Sequence, residues 1–124
     1  MRISALTPML WTIELNETIE FYVKLLGFSC IEYNEEWGWA AITKDDIGLM
    51  IAKPNANTNF IKPFFTGSFY FNVEDVNELW LVLKDKVQIC YNLDDFEYGM
   101  RDFAIYDNNG YILQFGQSST VDSD

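Results

Sequence analysis

The chain has no histidine at all. That single zero removes the imidazole general base, every His-dependent nucleophilic triad and any His-ligated zinc or iron centre. Cysteine is nearly as scarce. Cys30 and Cys90 are the only two and neither sits in a CxxC pair, which excludes a cysteine metal cluster and a disulfide framework. Both fall in apolar strand-like runs, where a thiol is expected to be a small, reduced, buried hydrophobe. Basic residues are few as well, 8 Lys and Arg against 19 Asp and Glu, for a formal net charge of −11. Such a field repels phosphate backbones and anionic lipid, so neither nucleic acid nor membrane is an expected partner, while cations are attracted. No run approaches the roughly 20 apolar residues of a membrane span, and the opening residues carry no signal-peptide pattern. A cytoplasmic location is the expectation. The glycines are dispersed at turns and strand ends and form no phosphate-cradling loop, and no serine has a base nearby in sequence.

What is present is apolar and aromatic. Hydrophobic residues make up 49% of the 124 and aromatics 17%, enough for one domain over 1–124 with a core of its own. The most informative stretch is Tyr98–Gly116, YGMRDFAIYDNNGYILQFG. Two strand-like runs, 102–106 and 111–115, flank Asp107-Asn108-Asn109-Gly110, where Asn-Gly suits the positive φ angles of a type I′ hairpin turn. Ahead of it, 3–13 reads as a first strand with Thr7, Met9 and Trp11 on one face, and Pro8 calls for an unpaired or edge position. Asn16 is the expected N-cap of a helix over 17–26 and Gly27 its stop, with Ile19, Tyr22, Val23 and Leu26 forming one apolar stripe.

Strands over 28–33, 37–43 and 48–53 follow, the second carrying Trp37 and Trp39 on a shared face. A long connection over 54–66 then leads to a repeat of the same order. This is a strand over 68–73, a helix capped by Asp75 with the stripe Val76, Leu79, Trp80 and Leu83, a strand over 86–92, an acidic loop over 93–97, and the hairpin. Thr7 and Ser68 lie 61 positions apart and Gly48 and Gly110 62, as a duplication requires. The polar residues 118–124 are expected to fray.

Two motifs carry a family likeness. TIEFYVKLLGF resembles the opening helix, and GMRDF followed by DNNGY the closing hairpin, of the glyoxalase/bleomycin-resistance/extradiol-dioxygenase (vicinal oxygen chelate) superfamily, with Asn108 in place of a usual proline. The resemblance implies an α+β fold of two tandem βαβββ modules, about 1–54 and 67–117 joined by a linker, curved into half-barrels of mixed sheet with the helices on the convex side. It also implies a ligand cavity on the concave faces and pairing into a homodimer, often with modules exchanged.

Metal-dependent members take ligands from the first and last strand of each module. Those positions here are Thr7 and Ser68 on the first strands, Met50 or Ala52 and Gln114 on the last. Hydroxyls, a thioether or methyl and one neutral amide are poor competitors with water for a divalent cation. No metal or other cofactor is expected, and Asp94, Asp95 and Glu97 lack the spacing of a calcium loop.

The residues expected to line the cavity are Thr7, Met9, Trp11, Trp37, Trp39, Met50, Ser68, Tyr70, Asn72, Ile112 and Gln114, a set without a catalytic constellation. Arg101 and Asp102 are expected to form a structural ion pair. The likeness is nearest to metal-free bleomycin-resistance-like members, which sequester a cationic aromatic drug at a dimer cleft. It implies a small-molecule binder, of the antibiotic-resistance kind, for a planar or cationic aromatic ligand. Two alternatives stay open. One is a metal-independent lyase or isomerase using Gln114, Ser68, Tyr70 and Asp102, marked by a carboxyl or tyrosine with a perturbed pKa. The other is an interaction module whose face is filled by its own Trp11, Trp39 and Met50.

Overall fold

A computed structural model describes residues 1–56, 59–64 and 67–119. The end of the expected connection at 65–66 and the tail at 120–124 lie outside the described residues. The chain divides into two compact units, Met1–Pro63 and Phe64–Asp124.

The first unit runs β1 (Met9–Trp11), α1 (Leu15–Glu20), β2 (Ser29–Asn34), β3 (Trp39–Lys44) and β4 (Ile47–Ala52). Its sheet has the order β1-β4-β3-β2, with β1 parallel to β4 and the rest antiparallel. The second repeats the plan with β5 (Phe69–Asn72), α2 (Val76–Leu83), β6 (Gln88–Asp95), β7 (Met100–Tyr106) and β8 (Ile112–Ser118), in the order β5-β8-β7-β6. Each unit is therefore a βαβββ module with a four-stranded mixed sheet, and the α+β class holds.

Alternation along the strands decides what each sheet face carries. In the first unit Leu10, Ala40, Ile42, Leu49 and Ile51 are buried with Tyr22 and Leu26 of the helical segment. In the second, Phe103, Ile105, Leu113 and Phe115 are buried with Val76 and Leu83, and the Trp80 ring lies 5.1 Å from Phe103. Every other strand residue points to the helix-free face, and that is where the polar and thioether side chains collect.

Several local expectations need correction. The first strand is three residues long instead of spanning 3–13, because Pro8 offers no N–H. Its carbonyl accepts from Met50 N (2.9 Å), and β1 lies at the sheet edge as such a residue demands. Asn16 does not cap α1; Glu14 holds the N-cap position. The Glu14 carbonyl takes both the backbone N–H and the hydroxyl of Thr18, and Thr12 Oγ1 accepts Glu14 N at 2.9 Å. The helix then loosens into a π turn over Phe21–Leu25 before Gly27 ends it at φ +80.

Asp75 caps α2 as read, its Oδ1 accepting Glu78 N at 3.1 Å. The hairpin turn is not type I′. Asn108 and Asn109 keep negative φ and only Gly110 is positive (φ 106), while Asp107 Oδ1 gathers the N–H groups of Asn109, Gly110 and Tyr111 at 2.8 to 2.9 Å. With Asp107 N donating to Tyr111 O, this is a tight turn closed by a glycine bulge, fixed by one buried carboxylate. Residues 93–95 belong to β6 instead of a loop, and Cys30 is exposed, with its thiol on the Glu32 carbonyl, where a buried hydrophobe was expected.

Candidate functional site

The second unit gathers its polar side chains at one place on the helix-free face. Register brings them together. Tyr70 pairs with Gln114, Gln114 with Ala104, Ala104 with Tyr91, and one step along, Gly116 pairs with Asp102. Asp102 is completely buried, and three phenols converge on it. Tyr70 and Tyr98 donate to Oδ2 at 2.7 and 2.8 Å, and Tyr91 donates to Oδ1 at 2.7 Å. Tyr91 also accepts from Gln114 Nε2 at 2.9 Å, and the other end of that amide, Oε1, accepts the Ser68 hydroxyl. Ser68, Gln114, Tyr91 and Asp102 thus form one continuous relay, with Tyr70 and Tyr98 as further donors to its end.

Glycine at 116 makes room for this. A Cβ there would strike the Tyr70 hydroxyl and would stand 2.7 Å from its Cζ and 2.9 Å from Asp102 Cβ. The requirement is close approach, since the position does not use a positive φ.

Burial is the first cause that lifts the Tyr70 hydroxyl far above the usual phenol range, followed by its hydrogen bond to Asp102 and the charge beside it. Tyr91 is lifted as well, first by burial; the Gln114 donor, next in size, opposes this, and the hydrogen bond to Asp102 and its charge add to the rise. Tyr98 rises too, through desolvation and then Asp102. All three are therefore held protonated, as donors. They are unsuited to taking a proton at neutral pH.

The first unit's helix-free face is different in kind. It presents Met9, Trp11, Trp39 and Met50. The Trp39 indole N–H lies on Met50 Sδ at 3.3 Å, and Trp11 meets Phe60 edge-on at 5.9 Å. Trp37 does not share this face. It sits in the turn between β2 and β3 with its N–H on Asn34 Oδ1, and is 73% exposed. Thr7 precedes β1 and is exposed.

The register also resolves which residue occupies the last-strand position. Met50 pairs with Met9 as Gln114 pairs with Tyr70, so Met50 and not Ala52 is its counterpart. Of the remaining expected residues, Asn72 lies on the same face as Tyr70 and is exposed, and Ile112 is half-buried two places before Gln114.

The donor set does not fit a divalent cation. The amide oxygen of Gln114 is bound to Ser68 and the Met50 sulfur to an indole N–H, and neither unit adds a charged oxygen within these positions. Among the described residues no group of three or more His, Cys, Asp or Glu could hold a metal. Asp94 and Asp95 are adjacent on β6 and point to opposite faces; Asp95 is bound to Arg101 at 3.0 Å. That pairing corrects the expected Arg101–Asp102 contact. Arg101 faces α2, reaching Asn77 Oδ1 at 2.8 Å, while Asp102 faces away from it.

Tyr91 and Tyr98 escaped the sequence reading. A register shift between Tyr91 and Asp94 puts residues of odd spacing on one face, so simple alternation misplaces them. Tyr98 acts from a turn, where alternation has no meaning. A signal did exist: Asp102 has the same parity as Ala104 and stands opposite a strand glycine.

A depression of about 310 Å³ lies in the first unit beside the start of α1, lined by residues including Glu14, Glu17, Tyr33, Glu35 and Lys53. Glu14 beside it, first by a hydrogen bond and then by charge, raises the Glu17 carboxyl.

Comparison with known proteins gives a consistent picture. The sequence profile described as Glyoxalase/Bleomycin resistance protein/Dioxygenase superfamily matches residues 4–115. No curated protein matches the chain in sequence. Among solved structures, a protein of unknown function from Agrobacterium tumefaciens str. C58 superposes with TM-score 0.79 at 19% identity, covering 95% of this chain and 96% of that one. TioX from Micromonospora sp. ML1 gives 0.76 at 16% over 93% and 98%. A lactoylglutathione lyase from Agrobacterium tumefaciens gives 0.71 at 16% over 94% and 96%. Identities this low speak for the fold alone. Among the described residues no helix is long and apolar enough to cross a membrane.

Proposed function

Because this chain belongs to the glyoxalase/bleomycin resistance protein/dioxygenase superfamily, we propose that it uses the superfamily scaffold to bind a small molecule without a metal and without catalysis. The ligand is planar or cationic and aromatic. The observation that carries the reading is the closed polar relay of the second unit. Gln114, at the position matched to a metal ligand, has its oxygen on Ser68 and its nitrogen on Tyr91, and the nearby carboxylate is surrounded by three phenol donors. The Gln114 oxygen and the Asp102 carboxylate are thus already engaged, which leaves no charged oxygen for a cation to gather.

Apolar and aromatic surface remains, namely Met9, Trp11, Trp39 and Met50 in the first unit and the rings of Tyr70 and Tyr98 in the second. Such surface supports affinity through burial of a flat ligand, and a net charge of −11 speeds the approach of a cation. In this reading the protein pairs, as the superfamily likeness implies, and the binding surface lies at the homodimer cleft. The three phenols do carry perturbed pKa values, the mark set for the enzyme alternative, but the shift is upward, which keeps them as donors and disfavours them as general bases.

Thermal unfolding tests this. A planar cation such as proflavine at a hundredfold excess over its dissociation constant should add about 2.7 kcal/mol, a shift of several degrees in Tm, and Zn²⁺, Ni²⁺ or Fe²⁺ at stoichiometric levels should add nothing. Stabilisation by one of those metals, with none by the cation, would reverse the reading.

A further inference from the structure

We infer that Asp102 acts, through Tyr91, as a positioning residue that fixes which way the Gln114 amide faces. The site is thereby set to receive a ligand with an amide-like edge, one carbonyl acceptor beside one N–H donor. This rests on the reading that the helix-free face of the second unit receives a small molecule.

The argument is one of proton direction. A carboxylate only accepts, so Tyr91 must send its proton to Asp102 Oδ1 at 2.7 Å. Its oxygen is then an acceptor toward Gln114 at 2.9 Å, which demands the nitrogen end of that amide. Oε1 therefore faces Ser68, and the Ser68 proton goes to Oε1. Every ambiguity in the relay, the amide flip included, is resolved by the one group that cannot donate.

Gln114 and Ser68 are both half-buried, so each keeps some contact with solvent, and their remaining hydrogen-bonding capacity is open to a ligand on the helix-free face. What is left is the second Nε2 hydrogen as a donor and the Ser68 Oγ lone pairs as acceptors. A carboxamide, lactam or ureido edge complements that pair. A carboxylate offers no donor and an amidinium no acceptor. Tyr70 and Tyr98 bind the other carboxylate oxygen and lie outside the relay, though they hold Asp102 in place.

The experiment uses protein labelled with ¹⁵N at glutamine side chains, which reports Gln88, Gln114 and Gln117. In the ligand-free protein, the Gln114 Nε2 protons should exchange with solvent more slowly than those of exposed Gln88, and Tyr91→Phe should abolish the difference. Equal rates in the parent protein would overturn the relay itself. Benzamide, benzoate and benzamidine are then titrated. Benzamide should move the Gln114 signals at a concentration about fivefold lower than the other two, the equivalent of one net hydrogen bond. Tyr91→Phe should lose that preference, and Asp95→Asn, whose side chain pairs with Arg101 on the opposite face of β6, should keep it.

Equal responses to all three probes, no response to any, or a preference that survives Tyr91→Phe would overturn the inference. A benzamide preference without stabilisation by proflavine would support it while overturning the aromatic-cation reading, so the two failures are separable.

Discussion

Three phenols on one fully buried carboxylate are a costly arrangement unless every partner is kept, and the consequences can be read one residue at a time. A hydrogen bond to a charged group contributes about 1.5–3 kcal/mol, so Tyr70→Phe should lower unfolding free energy by an amount near the bottom of that range, measurable by urea denaturation. Gly116→Ala should cost about 1–3 kcal/mol by the same measurement, because its methyl would meet the Tyr70 phenol and the Asp102 Cβ at once.

The phenols also make stability depend on alkaline pH, with a definite sign. Their folded pKa values lie above the unfolded value of about 10. Their contribution is therefore complete below pH 10 and is lost as the pH rises through the folded values. Absorbance at 295 nm should show a tyrosine subset that ionises only above the ordinary range, and urea midpoints should fall over that same interval. Stability that is flat or rising above pH 10 would contradict this.

Elements show why part of the fold was legible in the sequence and part was not. Both helices and the repeated strand–helix–three-strand order were legible in the sequence, since Tyr22, Leu26, Val76 and Leu83 of the two expected stripes are all buried. The end of α1 was legible because only a glycine tolerates φ +80 cheaply. The start of α1 was not, because the group that organises it is Thr12, outside the helix, and not the Asn16 that its type suggested. The hairpin turn was misjudged for a similar reason, an aspartate side chain outcompeting the Asn-Gly preference.

The second helix depends on a long-range cap, Gln117 Oε1 accepting the N–H of Val76 at 2.5 Å from β8. Asp75 adds its own. Gln117→Ala and Asp75→Ala should each lower stability by about 1 kcal/mol in urea titrations. The Gln117 contact joins residues some forty positions apart, and local pattern does not record it.

Across the whole chain, the candidate site was half legible. Ser68, Tyr70, Asn72, Ile112 and Gln114 were placed on one face by alternation, and that face is where the structure has them. The centre of the network was not visible, because a bulge in β6 and a turn residue supply two of its three phenols. Charge acts at this scale too. With −11 spread over 124 residues, association of a cationic ligand should slow as ionic strength rises, and stopped-flow rates with proflavine in 10 mM and 500 mM salt should show it, within the logic of a Debye length shrinking from about 30 Å toward about 4 Å.

The most direct trial is isothermal titration calorimetry of one protein sample with proflavine and then with Zn²⁺ in the absence of chelators. Saturable binding of the planar cation with a negative heat-capacity change is expected, as burial of apolar surface requires, with no saturable zinc heat. Stoichiometric zinc binding with a silent proflavine titration would contradict it.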